Sequence, residues 1–289
     1  MFLYTTGTNA LEEAFPEEEK KPEQVREHLL PEESINLSSA SLSSLTGVTT
    51  DGLPLLPFPP ASTLAQPRSQ SSRSLHWKAW LATVFLVSAP VFFEAPLVRF
   101  APWLSIVLTV GWLSISRQLR ENPKNQLWGS LLWGFSLTWF CGAIYWGWLR
   151  SEPSWHLPIE AIALPWAIWA VSQTPNQSQY RIGGWFYIGS LFGTGVTDLY
   201  FYLVNLFPHW RAIMQVETDP AQVQSIFQSA LSQVQTSWGM GWALGLAAVL
   251  LLLGSRAMRS KQVCYWAFAG AVFGTIFVDL LFAFLAYFA

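Results

Sequence analysis

Cysteine is nearly absent. The 289-residue chain has two, too few for a disulfide framework. Cys141 and Cys264 fall at different depths of separate apolar segments, roughly 18 Å apart at about 1.5 Å rise per residue. That is beyond the reach of a bridge, and both read as small buried hydrophobes. Histidine is scarce too, with four residues. His28 and His76 belong to the amino-terminal region, and His156 and His209 have no neighbours at zinc-ligand spacing, so neither a metal nor a cofactor is expected. P-loop, G-x-G-x-x-G, G-x-S-x-G and HEXXH patterns are missing as well. An enzyme using two aspartates that share a proton remains conceivable, but the flanking residues do not match intramembrane aspartyl proteases, and the reading leans away from an enzyme. Charged residues make up only 12% of the chain and the net charge is −2; no nucleic-acid partner is expected.

What fills the chain instead is apolar: 52% hydrophobic residues, with 17 Trp and 20 Phe. The charges are unevenly placed, since ten of the 18 acids fall in residues 1–76. That segment joins the acidic "EEAFPEEEKKPEQVREHLLPEES" to Ser-rich and Pro-rich stretches. It offers too little apolar surface to offset the entropy of ordering it and reads as a disordered cytoplasmic tail. Its start has neither the basic residues nor the apolar run of a signal peptide.

Residues 77–289 read as an all-α, polytopic transmembrane helix bundle. A bilayer core needs about 20 apolar residues per helix. Candidate segments are 77–95, 100–116, 127–149, 157–173, 182–206, 238–255 and 262–288, which makes seven spans, or six if one of the short segments 100–116 and 157–173 is re-entrant. With seven spans, nine basic residues (Arg73, Lys78, Arg117, Arg120, Lys124, Arg181, Arg256, Arg259, Lys261) lie on the amino-terminal side and three (Arg99, Arg150, Arg211) on the other. The positive-inside rule then makes the amino terminus cytoplasmic and puts the carboxyl terminus on the periplasmic or lumenal side. Between the fifth and sixth spans, residues 219–235 predict an amphipathic helix on the outer face, with Asp219 as cap and Pro220 at its first position.

The most specific signal is internal. Shifting the sequence by 81 residues aligns "WFYIGSLFGTGVTDLYFYLVNLF" with "WAFAGAVFGTIFVDLLFAFLAYF", identical at nine of 23 positions. Apolar bias generates Phe and Leu matches but not a shared Gly, Thr and Asp in register, and internal symmetry is typical of transport folds. Gly189 with Gly193, and Gly270 with Gly274, form GxxxG pairs that admit a close neighbour. Asp198 lies roughly 140° around the helix from Gly193, whereas Thr194 shares its face, as Thr275 does with Asp279. Each helix is thus expected to pack on its Gly side and to meet a polar partner on its Thr/Asp side.

Counted from Arg181 and Lys261, both aspartates fall in the outer half of the membrane. Glu94 and Glu160 reach a similar level, with Arg99 and His156 close enough to offset charge. Carboxylates in lipid cost about 2.5–3.5 kcal/mol on insertion scales, so they face the bundle interior and are paired, protonated or functional. Two readings follow. In the first, Asp198, Asp279, Thr194 and Thr275 line a site for a small solute, cation or proton, tuned by Glu94, Glu160 and Arg99, as in a transporter. In the second, the aspartates tie helices together in a membrane scaffold or assembly factor that binds subunits of a larger complex.

The stretches "LVSAPVFFEAPLVRFAPWLS", "FGTGVTDLYFYLVNLFPHWR" and "GTIFVDLLFAFL" carry a resemblance. Residues 76–289 resemble an uncharacterised family of multi-pass membrane proteins found mainly in cyanobacteria. The family has no assigned activity. The resemblance implies a thylakoid or plasma membrane, and a photosynthetic or respiratory complex as the partner in the scaffold reading.

Overall fold

The computed structural model describes residues 69–174, 180–216 and 219–288; the acidic tail lies outside the described residues up to position 68. Residues 69–76, which the sequence assigns to that tail, belong to the first helix. Among the described residues every regular element is helical.

The first crossing is α1 (Ser69–Ala89), a π-turn (Pro90–Glu94) and α2 (Ala95–Phe100). Pro90 lacks an N–H, and its ring collides with the carbonyl four residues back in a regular helix. The chain widens there into a π-turn, in which the Ala95 N–H donates to the Pro90 carbonyl. Pro102 then opens α3 (Pro102–Glu121), which leads to α4 (Gln126–Ile144) and a second π-turn (Tyr145–Leu149). The two π-turns are offset along the bundle: the first packs on α4, ahead of the second, and the second packs on α2.

The segment 157–173 is not one helix. It is α5 (His156–Glu160), a turn, and α6 (Leu164–Ser172). Pro165 has no N–H for the Ala161 carbonyl, and the Leu164 N–H turns back to Ala161 O at 2.9 Å. The Glu160 carbonyl therefore loses its helical donor. The remaining helices are α7 (Arg181–Leu203), α8 (Phe207–Val216), α9 (Pro220–Val234), α10 (Ser237–Met258) and α11 (Val263–Phe288). α7 stops where Asn205 takes a left-handed φ of 59° and the Leu206 N–H donates to Phe201 O at 2.8 Å, a closure that satisfies carbonyls at a helix end. The Asp219 carboxylate caps α9 by accepting from the Ala221 and Gln222 N–H groups at 3.1 and 3.3 Å. The Gln222 side-chain amide and these backbone donors hold the Asp219 carboxyl below the usual range.

Among the described residues, four helical stretches are long and apolar enough to cross a membrane: Arg73–Phe100, Gln126–Leu149, Ser237–Met258 and Val263–Phe284. α3 and α7 have the length, about 30 and 35 Å at 1.5 Å per residue, but Arg117, Arg120 and Glu121 in one and Gly, Thr and Tyr residues in the other lower their hydropathy. Packing supplies the directions of the helices. Ser130 meets Gly183, and Tyr187, further along α7, lies against Cys141, further along α4, so α4 and α7 are parallel. α7 and α11 are parallel (Gly189 on Phe268, Gly193 on Thr275), as are α11 and α1 (Gly270 on Thr83, Gly274 on Val87). α3 runs against α4 (Ser116 with Gly129, Ser105 with Trp139), and α10 runs against α11. Parallel α4 and α7 need a return between them, which the broken α5–α6 segment makes.

The lateral surface is apolar and the interior of α3 is polar. Ser105, Thr109 and Ser116 are buried, whereas Leu104, Val107 and Val110 on the same helix are exposed. A helix that hides its small polar face and displays its apolar one is arranged for lipid, and the fold is a polytopic transmembrane bundle.

The tightest approach of backbone to backbone between helices is that of α4 and α7. A Cβ on Gly183 would meet the Ser130 carbonyl, and one on Gly134 would meet the Gly183 carbonyl. Backbone cannot rotate away as a side chain can. Gly183→Ala is expected to cost about 1–3 kcal/mol through forced separation of the helices. Gly241 has nothing within 4 Å of a built Cβ, so Gly241→Ala is expected to gain about 0.5–1 kcal/mol. Thermal unfolding in mild detergent measures both, and equal effects at the two positions would disprove the backbone-contact account.

Candidate functional site

The polar layer is assembled where the helical rules break. His156 opens α5, directly after a 3-10 turn at Pro153–Trp155. Its Nδ1 lies 2.9 Å from Asp198 Oδ1 on α7, and its Nε2 lies 3.5 Å from Glu160 Oε1, one turn further along α5. Both ring nitrogens face carboxylate oxygens, an arrangement that the doubly protonated imidazolium satisfies and neither neutral tautomer does. The Tyr145 ring, delivered by the second π-turn, lies over the imidazole with centroids 4.3 Å apart and planes 30° apart.

Glu160 is held twice more. Thr194 donates to its Oε2 at 3.2 Å, and the Tyr187 hydroxyl donates to its backbone carbonyl, the acceptor left free by the break before Pro165. Two neighbouring residues of α7 then serve two helices. Asp198 faces α5, and Thr197, about 100° away around the helix, turns to α11 and donates to Asp279 Oδ2 at 2.9 Å. Side-chain exposure at His156, Glu160 and Asp198 is 21%, 15% and 17%, so the cluster is shielded without being sealed. Above it Trp146 packs between His156 and Trp210 of α8, with centroids 6.1 and 5.5 Å apart. Trp210 also donates to the Arg150 carbonyl at 2.7 Å.

Glu94 stands apart, one helix away. It is fully buried, at 0% exposure. Ser105 of α3 donates to its Oε1 at 2.9 Å, while Oε2 has no hydrogen-bond partner and points at Gly142 of α4, where a Cβ would lie 2.8 Å from it. Arg99 is exposed at the end of α2.

The glycine positions take packing roles. Gly189 and Gly193 receive α11, with Thr275 seated against Gly193; Gly270 and Gly274 receive α1, with Thr83 seated against Gly270. Thr275 turns its hydroxyl to Ala271 O of its own helix at 3.3 Å. Thr194 and Asp198 face α5, whereas Thr275 and Asp279 face α7, so the two matching stretches meet different partners. Among the described residues no group of three or more His, Cys, Asp or Glu side chains is arranged to hold a metal ion, and Cys141 and Cys264 are free and buried.

Sequence reasoning placed His156 near the acids but not between them, and it missed Tyr145, Tyr187, Thr197, Ser105 and Gly142. Ser105 alone had a visible signal. It lies with Thr109 and Ser116 on one helical face of small polar residues, at spacings of four and eleven.

The geometry defines a helical membrane protein with a partly buried histidine–carboxylate cluster. A protein-family model described as a protein of unknown function, DUF3120, matches residues 83–287. The chain belongs to this family, and every residue of the cluster lies inside the matched region. No curated protein and no solved structure matches the chain.

Removing the imidazole tests the clamp. His156→Ala leaves Glu160 and Asp198 without the cation between them and is expected to cost about 3 kcal/mol, with a deficit that opens from acid to neutral pH as the acids ionise and narrows again at alkaline pH, where the parent's imidazole loses its own charge. Thr197→Val, which removes a single donor from Asp279, is expected to cost about 1 kcal/mol. Thermal unfolding across a pH series reads both; a His156→Ala protein as stable as the parent at neutral pH would show that the contacts do not matter.

Proposed function

We propose that this protein is a cation- or proton-binding membrane protein of transporter type, with the site formed by His156, Glu160, Asp198 and Asp279 and oriented by Thr194 and Thr197. The observation that carries this reading is the clamped imidazole. A histidine between two carboxylates, with a third acid one threonine away, concentrates exchangeable charge at one level of a bundle whose lateral surface is apolar. A structural tie between helices needs one acid and one donor, as at Asp279 and Thr197. Two acids sharing an imidazolium do more: a change of occupancy at one acid alters the charge felt by the other.

The shielded but unsealed setting supports exchange with water at the end of the bundle covered by α8 and α9. The nine-to-three distribution of basic residues supports placing that end on the periplasmic or lumenal side, and the family resemblance supports a thylakoid or plasma membrane of a photosynthetic bacterium. Thr275, seated against Gly193, contributes by holding α11 so that Asp279 meets Thr197. Arg99 and the remaining charges set the field around the cluster.

The test is reconstitution into liposomes loaded with a pH-sensitive dye, with cation gradients applied in turn. The parent is expected to move protons or a monovalent cation. The Asp198→Asn, Asp279→Asn double variant should elute as the parent does from a sizing column while its flux falls to the protein-free background. Undiminished flux in the folded double variant would refute the proposal, and stoichiometric co-purifying subunits with no flux from either protein would favour the scaffold reading.

A further inference from the structure

Glu94 is not needed to build the histidine cluster, yet the fold works to place it. Thr83 of α1 faces Gly270 of α11. Eleven residues of regular α-helix turn through about 1,100°, or roughly 20° past a whole number of turns, so an unbroken α1 would aim Glu94 along the Thr83 stripe toward α11. The π-turn Pro90–Glu94 winds roughly 20° less per residue over its five positions. That lag swings Glu94 off the stripe and into the space between Ser105 on α3 and Gly142 on α4. Such π-turns cluster at functional sites.

The space that receives it is made for an acid without charge. An ionised carboxylate offers about four acceptor sites. Here Oε1 has one donor, Ser105, and Oε2 has none. Gly142 presents only its Cα hydrogen toward Oε2, a weak contact. Trp139 of α4 spends its N–H on the Ser105 carbonyl at 3.2 Å. The titratable neighbours that bear electrostatically on Glu94 and its surroundings are Glu160 and the buried thiol of Cys141, and neither supplies positive charge. A metal ion would need several oxygen ligands, and no ion-holding group of acids exists among the described residues.

We infer that Glu94 is a sealed proton-binding site, a second and more deeply buried station beside the histidine cluster, with Ser105 and Gly142 as its positioning residues. The ligand is a proton, which supplies the charge that no donor supplies. This narrows the cation of the transport reading to a proton and rests on that reading only for its part in flux; the protonation itself stands on the Glu94 surroundings.

Infrared difference spectroscopy of the reconstituted protein at neutral pH, in H2O and D2O, reads this directly. The expected result is a carbonyl-stretch band of a protonated carboxyl group that is absent in Glu94→Gln and moves to higher frequency in Ser105→Ala, where the acid keeps its proton but loses its hydrogen bond. Glu94→Gln, a neutral side chain of the same shape, should melt close to the parent. Loss of a carboxylate band in Glu94→Gln with no change in the protonated-carboxyl region would overturn the inference. If Glu94→Gln does not fold, the decision passes to Ser105→Ala: a shifted protonated-carboxyl band supports the site, and an unchanged one overturns it. None of these readouts depends on flux, so failure of the transport reading leaves the Glu94 result separately legible.

Discussion

Helices in lipid gain little from pressing apolar side chains together, because the lipid tails are as apolar as leucine. This bundle is held where backbone meets backbone. α4 and α7 touch through Gly134, Gly183 and Ser130, α7 and α11 through Gly189 and Gly193, and α11 and α1 through Gly270 and Gly274. In two of these joints a threonine side chain fills the glycine notch: Thr275 against Gly193 and Thr83 against Gly270. Four helices running in one direction are brought into a row by contacts that tolerate almost no added volume. Without that row the polar residues of α7 would not reach α5 and α11 at once.

The polar layer depends on the opposite device, places where helical geometry is abandoned. Proline causes two of them. Pro90 widens the first crossing and turns Glu94 inward, and the break before Pro165 frees the Glu160 carbonyl for Tyr187. A second π-turn brings Tyr145 over His156. Each break leaves backbone groups or side-chain directions that a regular helix would not provide, and irregular backbone at membrane depth is tolerated where it is buried in protein. The rigid glycine joints and the broken segments are thus complementary. The first set the spacing, and the second aim the side chains.

The two carboxyl sites differ in how their charge is handled. At the histidine cluster a cation from the protein sits between acids that keep limited access to solvent, so charge is balanced within the cluster. At Glu94 no cation faces the acid, and solvent is excluded. The two are linked by proximity through α4, whose Cys141 and Gly142 lie between Tyr187 and Glu94.

The helical class and the apolar crossings were legible in the sequence, because hydropathy and helical period are local properties. The start of α9 at Asp219 and Pro220 is equally local. The break in the fourth segment was only partly legible: residues 157–173 read as one short span or a re-entrant one, whereas the chain makes α5, a turn, and α6, which opens at Leu164 and Pro165. His156 lies 42 residues from Asp198, Thr197 lies 82 from Asp279, and Ser105 lies 11 from Glu94 across a chain reversal. By itself the sequence determined that the chain makes lipid-facing helices, with one acid in each of two matching apolar stretches. Only the tertiary structure decided which acid meets histidine, which meets threonine and which is left with one donor, because those choices depend on helix rotation. A single π-turn shifts that rotation by about a quarter of a circle.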